Sequence, residues 1–239
     1  MDHVSNGFPF IANNLRNEHM HLYERIYHRP RKKEFMEKSK LISKKLIALS
    51  SEEMKRVRVT GSACNCLSMG KTTCSMGTCI NVSMNIECCE ETCGIGSGCG
   101  NRNLTLGIEK KVAVKNMGDK GSGLVAAEAI PAKLYVMEFK GIVCDKHENS
   151  LYVMEVNVSK FIDADVNKGD FKCGYINHSC KPNLIAEKWM VLGEERVAMY
   201  ALVDIDVGDE LTFSYSNDYS KNSKRVPCLC KMDNCTGYI

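Results

Sequence analysis

The sequence predicts a mainly β fold with short helices, arranged as several small sheets, flanked by cysteine-rich metal-binding segments and preceded by one helix. Three observations carry that expectation. Short apolar runs separated by turn residues fill the region from about Lys111 to Tyr215; eight cysteines crowd into the 36 residues from Cys64 to Cys99; Cys228, Cys230 and Cys235 stand together near the end of the chain. No strand–helix alternation of the kind that builds a parallel sheet is visible, and no internal repeat.

Taken in chain order, residues 1–29 show little periodicity. Pro30 suits the first turn of a helix running to about Leu49, with Phe35, Leu41, Ile42, Leu46 and Leu49 as its apolar stripe and lysines opposite. Ser50, Ser51 and Glu53 read as a break or a new cap. The formal net charge of +3 is unevenly spread: residues 1–60 hold 13 Lys and Arg against 7 Asp and Glu, whereas the remainder holds 19 against 22. A basic N-terminal segment suits contact with a polyanion such as nucleosomal DNA, and a solvated helix face is the alternative. The absence of about 18 consecutive apolar residues argues against a membrane span. The first residues lack the charged start and apolar stretch of a secretory signal, so the expectation is a chain kept inside the cell.

The composition then changes. The stretch "CNCLSMGKTTCSMGTCINVSMNIECCEETCGIGSGC" has almost no apolar periodicity and cannot build a core, so it needs metal to hold a shape. Clustered cysteines in a reducing compartment point to zinc before disulfides. Cys64, Cys66, Cys74, Cys79, Cys88, Cys93 and Cys99 are the candidate ligands, with Cys89 beside them, and seven thiolates serve two tetrahedral ions if one sulfur bridges. At the other end, Cys228, Cys230 and Cys235 leave a four-coordinate site one ligand short. The unpaired candidates for that place are Cys89, Cys144, Cys173 and Cys180.

Between the clusters, "KVAVKN", "GLVAAEAI", "LYVMEFKGIV", "LYVMEVN", "KFIDAD", "AEKWMVLGEERVAMYALVDI" and "ELTFSY" read as strands, separated by "NMGDKGSG", "IPAK" and "DVGD" turns. The longest of these predicts a hairpin turning near Gly193. Trp189, the only tryptophan, is expected in the core.

The segments "KGSG" (120–123), "YINHSCKPN" (175–183), "ELTFSY" (210–215) and "CLCKMDNCTGYI" (228–239), in that order, resemble the SET-domain lysine methyltransferases with a post-SET zinc tail. The first cysteine cluster is similar to the AWS module that precedes SET in one branch, the branch associated with lysine-36 of histone H3. The resemblance implies a SET β-fold divided as 1–60 (basic segment with one helix), 61–104 (AWS-like module), 105–217 (SET) and 218–239 (post-SET). It implies an S-adenosylmethionine-dependent histone-lysine methyltransferase acting on nucleosomes, located in the nucleus on chromosomes. A zinc-stabilised chromatin adaptor of weak or no activity, or a methyltransferase for another lysine, is the alternative.

The same resemblance assigns roles. Tyr215 is the central catalytic group, Phe213 the position that governs the degree of methylation, and Tyr152 an aromatic at the cofactor and lysine channel. Lys120, Gly121, Ser122, Gly123, Asn177, His178 and Leu229 would hold the cofactor. Cys180 would complete the quartet with Cys228, Cys230 and Cys235, giving three zinc ions in all with Cys74 as the bridge and Cys89 spare; Cys144 and Cys173 stay as buried thiols. The chain departs from the family pattern at Gly174-Tyr175, where Arg-Phe is usual, at Ser214, where Asp is usual, and in the short stretch "CDKHENS" after β-rich "FKGIV".

Overall fold

The longest apolar alternation in the chain makes its longest hairpin. In the computed structural model, which describes residues 63–144, 152–167, 169–215 and 226–239, the strands are β1 (Val112–Asn116), β2 (Ser122–Ala126), β3 (Tyr135–Glu138), β4 (Ile142–Cys144), β5 (Val153–Asn157), β6 (Lys160–Asp163), β7 (Asn177–His178), β8 (Leu184–Val191), β9 (Glu194–Ala201) and β10 (Thr212–Phe213). Contacts divide the chain into Met1–Ser50 and Ser51–Ile239, and the description concerns the second unit. The expected helix over 30–49, the basic segment 1–60 and residues 145–150 of the short stretch lie outside the described residues.

β8 and β9 pair antiparallel from Leu184↔Ala201 to Val191↔Glu194. The chain reverses at Leu192 and Gly193, both at positive φ (49° and 89°), as the two central residues of a tight hairpin turn require. β3 adds to the far edge of β9, giving the order β3-β9-β8. A second sheet has the order β4-β6-β5, β1 and β2 form a hairpin, and β7 pairs in parallel with β10.

The run 134–143 reads as one strand but is divided between two sheets. Phe139 makes the last rung to β9 through the Val197 carbonyl (2.9 Å). At Lys140 a side chain replaces the strand partner: the Cys173 thiol accepts the Lys140 N–H (3.2 Å) and donates to its carbonyl (3.0 Å). Burial pushes that thiol up to about 11, so it keeps its proton for this double duty. Cys173 is buried as expected, whereas Cys144 is only half-buried.

Two apolar clusters form. The larger one takes Leu124, Ile130, Val136, Met199 and Leu211 from the β region. The other joins Cys66, Cys74, Cys79, Cys88, Cys93 and Cys99 to Tyr135, Trp189 and Val191. Trp189 is indeed core (2% exposed), stacked on Tyr200 with ring centroids 5.6 Å apart.

Polar bonds fasten the cysteine segment to the sheet. The buried Glu87 carboxylate accepts from Leu104 N (2.7 Å), Thr105 N (3.0 Å) and Thr105 Oγ1 (2.7 Å), at the start of the one-turn helix α2 (Asn103–Leu106) that follows α1 (Ile80–Ser83). Its own N–H donates to the Met190 carbonyl (2.9 Å). Arg196 on β9 donates to the Leu104 carbonyl (3.0 Å) and pairs with Glu138 on β3.

Candidate active site

The parallel pairing of β7 with β10 builds the site. Its register, Thr212↔Asn177 and Phe213↔His178, lays two segments some 35 residues apart side by side, and Ser179 N continues the pairing to the Phe213 carbonyl (3.1 Å). Residues alternate faces along extended chain, so Phe213 and Tyr215 share one; their ring centroids are 4.8 Å apart.

The Tyr215 hydroxyl donates to the Ile176 carbonyl (2.8 Å), and its backbone N–H donates to His178 Nδ1 (3.0 Å). The imidazole therefore carries its proton on Nε2. That nitrogen lies 3.4 Å from Cys180 Sγ. Burial holds His178 below the usual imidazole range and so favours this neutral form. Burial, followed by Tyr152 and Glu210, raises the Tyr215 phenol well above its ordinary value, so it stays protonated. Tyr152 immediately precedes β5.

The β1–β2 hairpin supplies the other wall. Its turn contains Gly118 and Gly121 at positive φ (66° and 77°), and Met117 N closes it onto the Gly121 carbonyl (2.7 Å). Asn177 Nδ2 reaches across to the Ser122 carbonyl (3.3 Å). Lys120 pairs with Glu210 at 2.5 Å. Glu210 is a residue the sequence reading missed, because nothing local distinguishes it from any strand-end glutamate. Leu229 is 41% exposed on the C-terminal tail, where Lys231 lies 3.8 Å from Asp119 of the same turn. The Gly174 departure has a steric reason: a Cβ there would collide with the Ala164 carbonyl oxygen.

None of the fourteen cysteines is in a disulfide. Three groups bring four sulfurs within 4.8 Å of one another: Cys64, Cys74, Cys79 and Cys88; Cys74, Cys88, Cys93 and Cys99; and Cys180, Cys228, Cys230 and Cys235. Individual separations are 3.5 Å (Cys64–Cys74), 3.6 Å (Cys74–Cys93), 3.8 Å (Cys79–Cys88) and 3.9 Å (Cys180–Cys228). Sulfurs at tetrahedral corners about 2.3 Å from a zinc ion stand about 3.8 Å apart, against about 2.0 Å in a disulfide. The donor sets fit zinc. Cys180, expected from the resemblance, falls in the third group.

The first two quartets share both Cys74 and Cys88, not Cys74 alone. Cys88 accepts from Asn81 Nδ2 and Asn101 Nδ2, each at 3.3 Å, as a thiolate would. Cys66 is buried but falls outside both quartets. Cys89 is buried, lies in no quartet and contacts Thr92 Oγ1 (3.0 Å).

Sheets of this arrangement, a parallel pair followed two residues on by a half-buried tyrosine, and flanking sulfur clusters define a SET-type domain. The chain belongs to the SET domain family, which matches residues 121–216. It is 34% identical over 190 residues to the histone-lysine N-methyltransferase NSD3 of Mus musculus, covering 74% of this chain and 13% of that protein. It is 30% identical over 190 residues to the Homo sapiens histone-lysine N-methyltransferase, H3 lysine-36 specific, covering 74% and 7%. The crystal structure of KRYPTONITE in complex with mCHG DNA and SAH superposes with a TM-score of 0.55 at 29% identity, covering 64% of this chain and 34% of that one. The chain thus spans a small part of the curated relatives it matches. Among the described residues no helix is long and apolar enough to cross a membrane.

Proposed function

We propose that the protein is an S-adenosylmethionine-dependent methyltransferase for a histone lysine in nucleosomes, with lysine-36 of histone H3 as the favoured target, working in the nucleus on chromosomes. The observation that carries the reading is the convergence of Tyr215, Phe213, His178 and Asn177 on one parallel strand pair. The names of the relatives and the layout of seven candidate ligands among the eight cysteines of 64–99 support the choice of substrate. The same convergence speaks against the adaptor alternative, which has no use for a half-buried, protonated tyrosine packed against Phe213 and His178.

When bound, the cofactor supplies an electrophilic methyl group. The chain's task is alignment and deprotonation of the lysine, whose free pKa is about 10.4. Phe213, Tyr215 and Tyr152 wall a channel that disfavours an ammonium by desolvation. The Tyr215 hydroxyl orients the amine. Phe213 has no hydroxyl to hold a blocking water, which leaves room for more than one methylation. Lys120, Gly121, Ser122, Gly123, Asn177, His178 and Leu229 form the cofactor cradle. Cys64, Cys66, Cys74, Cys79, Cys88, Cys93 and Cys99 would hold zinc in the module at 61–104, and Cys180, Cys228, Cys230 and Cys235 would hold it in the tail at 218–239, where the metal would supply the cross-links that fix the shape of each segment. The basic segment 1–60 is assigned to DNA contact.

The test is transfer from labelled S-adenosylmethionine to nucleosomes. Wild type should label histone H3, and Tyr215→Phe should lower transfer by a factor on the order of a hundred or more, the usual range for a positioned catalytic group. No transfer by wild type, together with no cofactor binding, refutes the reading.

A further inference from the structure

The carboxylate of Glu210 sits where three segments meet, and none of the functional assignments above uses it. Its backbone is fixed in the sheet: Val125 and Glu210 form an isolated antiparallel bridge, Leu211 N bonds the Leu124 carbonyl (2.8 Å), and Asn183 Nδ2 bonds the Glu210 carbonyl (2.8 Å). Its side chain is 14% exposed and divides its two oxygens: Oε2 takes Lys120 Nζ from the hairpin turn (2.5 Å), and Oε1 takes Asn177 Nδ2 from the loop (2.8 Å). The fit is close. A Cβ on Gly123 would stand 2.9 Å from Asn177 Nδ2 and 3.1 Å from Glu210 Oε1.

Two consequences follow from donor and acceptor counting. Asn177 Nδ2 has two hydrogens, and the Ser122 carbonyl and Glu210 Oε1 take both. The amide is thereby locked with Oδ1 as the atom left to present, an acceptor that suits an ammonium and repels a carboxylate. The Lys120 charge is neutralised at the same time, so the turn does not repel a cationic ligand.

We propose that Glu210 is a positioning residue of the cofactor site, which orients Asn177 and neutralises Lys120 so that the cradle selects a ligand bearing an α-ammonium group. The inference rests on the cofactor reading above. Its test is calorimetric binding of S-adenosylhomocysteine and of its analogue lacking the amine to wild type, Glu210→Ala, Glu210→Gln and Asn177→Ala.

Wild type should prefer the amine-bearing ligand by a factor on the order of ten, about the worth of one charge-assisted hydrogen bond. Glu210→Ala and Asn177→Ala should each weaken S-adenosylhomocysteine on the order of tenfold and remove most of that preference. Glu210→Gln, which keeps an oxygen for Asn177 but leaves the Lys120 charge unneutralised, should lose affinity and only part of the preference, and a preference as small as that of Glu210→Ala would overturn the orienting role. A merely structural role would weaken both ligands equally, so retained preference in Glu210→Ala overturns the proposal, as does unchanged affinity. Failure of wild type to bind either ligand would instead overturn the cofactor reading itself.

Discussion

The two ends of the described chain use the same side chain for different physical tasks. In the first cysteine cluster Cys66, Cys74, Cys79, Cys88, Cys93 and Cys99 are all at most 7% exposed and pack with Trp189 and Tyr135 as a core. In the second, only Cys230 is buried, while Cys180, Cys228 and Cys235 are half-buried and no apolar cluster among the described residues surrounds them. One cluster replaces a hydrophobic core in a segment too polar to build one. The other clasps a tail against the site, because Cys180 is one ring away from Tyr215 through His178. The difference predicts that loss of sulfur from the first cluster costs stability, and from the second costs methyl transfer.

The largest test of that contrast is Cys88→Ala. Losing one of the two sulfurs shared by both quartets should release the metal of the whole first cluster and unfold the module, since metal binding and folding are one process there. Elemental analysis and loss of the cooperative melt would show it; a normal melt would break the comparison.

Cys180→Ser should lower the zinc content by about one ion and abolish most methyl transfer, yet leave the melting of the β region within a few degrees of wild type. Equal loss of stability in the two variants would erase the distinction. Chelator titration sharpens it: the half-exposed quartet should give up its metal first, with transfer lost before any change in circular dichroism.

A smaller effect is expected at the seam. Glu87→Gln replaces an acceptor-only carboxylate by an amide that cannot accept from Leu104 N and Thr105 on both sides, which should cost about 2 kcal/mol in denaturant unfolding. The smallest belongs to Cys89→Ser, which keeps a partner for Thr92 Oγ1 and should cost no more than about 1 kcal/mol with zinc content unchanged.

Much of the site could be read in advance because its residues carry their chemistry in their types. Asn177, His178 and Cys180 stand within four positions, and Phe213 and Tyr215 have strand spacing. The hairpin at Gly193 and the burial of Trp189 were equally legible, from alternation and from size. The division of 134–143 between two sheets was not, since the sulfur that substitutes for a strand partner at Lys140 comes from Cys173, 33 residues later. The second shared sulfur was hidden likewise: Cys88 is singled out by Asn81 and Asn101, which lie on either side of it in sequence.

The sequence by itself determined the class of each region, because hydrophobic period, turn residues and cysteine density are local properties that no neighbour can alter. Which sulfurs group into quartets, which nitrogen of His178 carries the proton, and that Glu210 holds Lys120 and Asn177 together were decided only by tertiary structure. Each depends on a distance between segments tens of residues apart, and such distances are set by strand pairing and core packing, not by the spacing of residues along the chain.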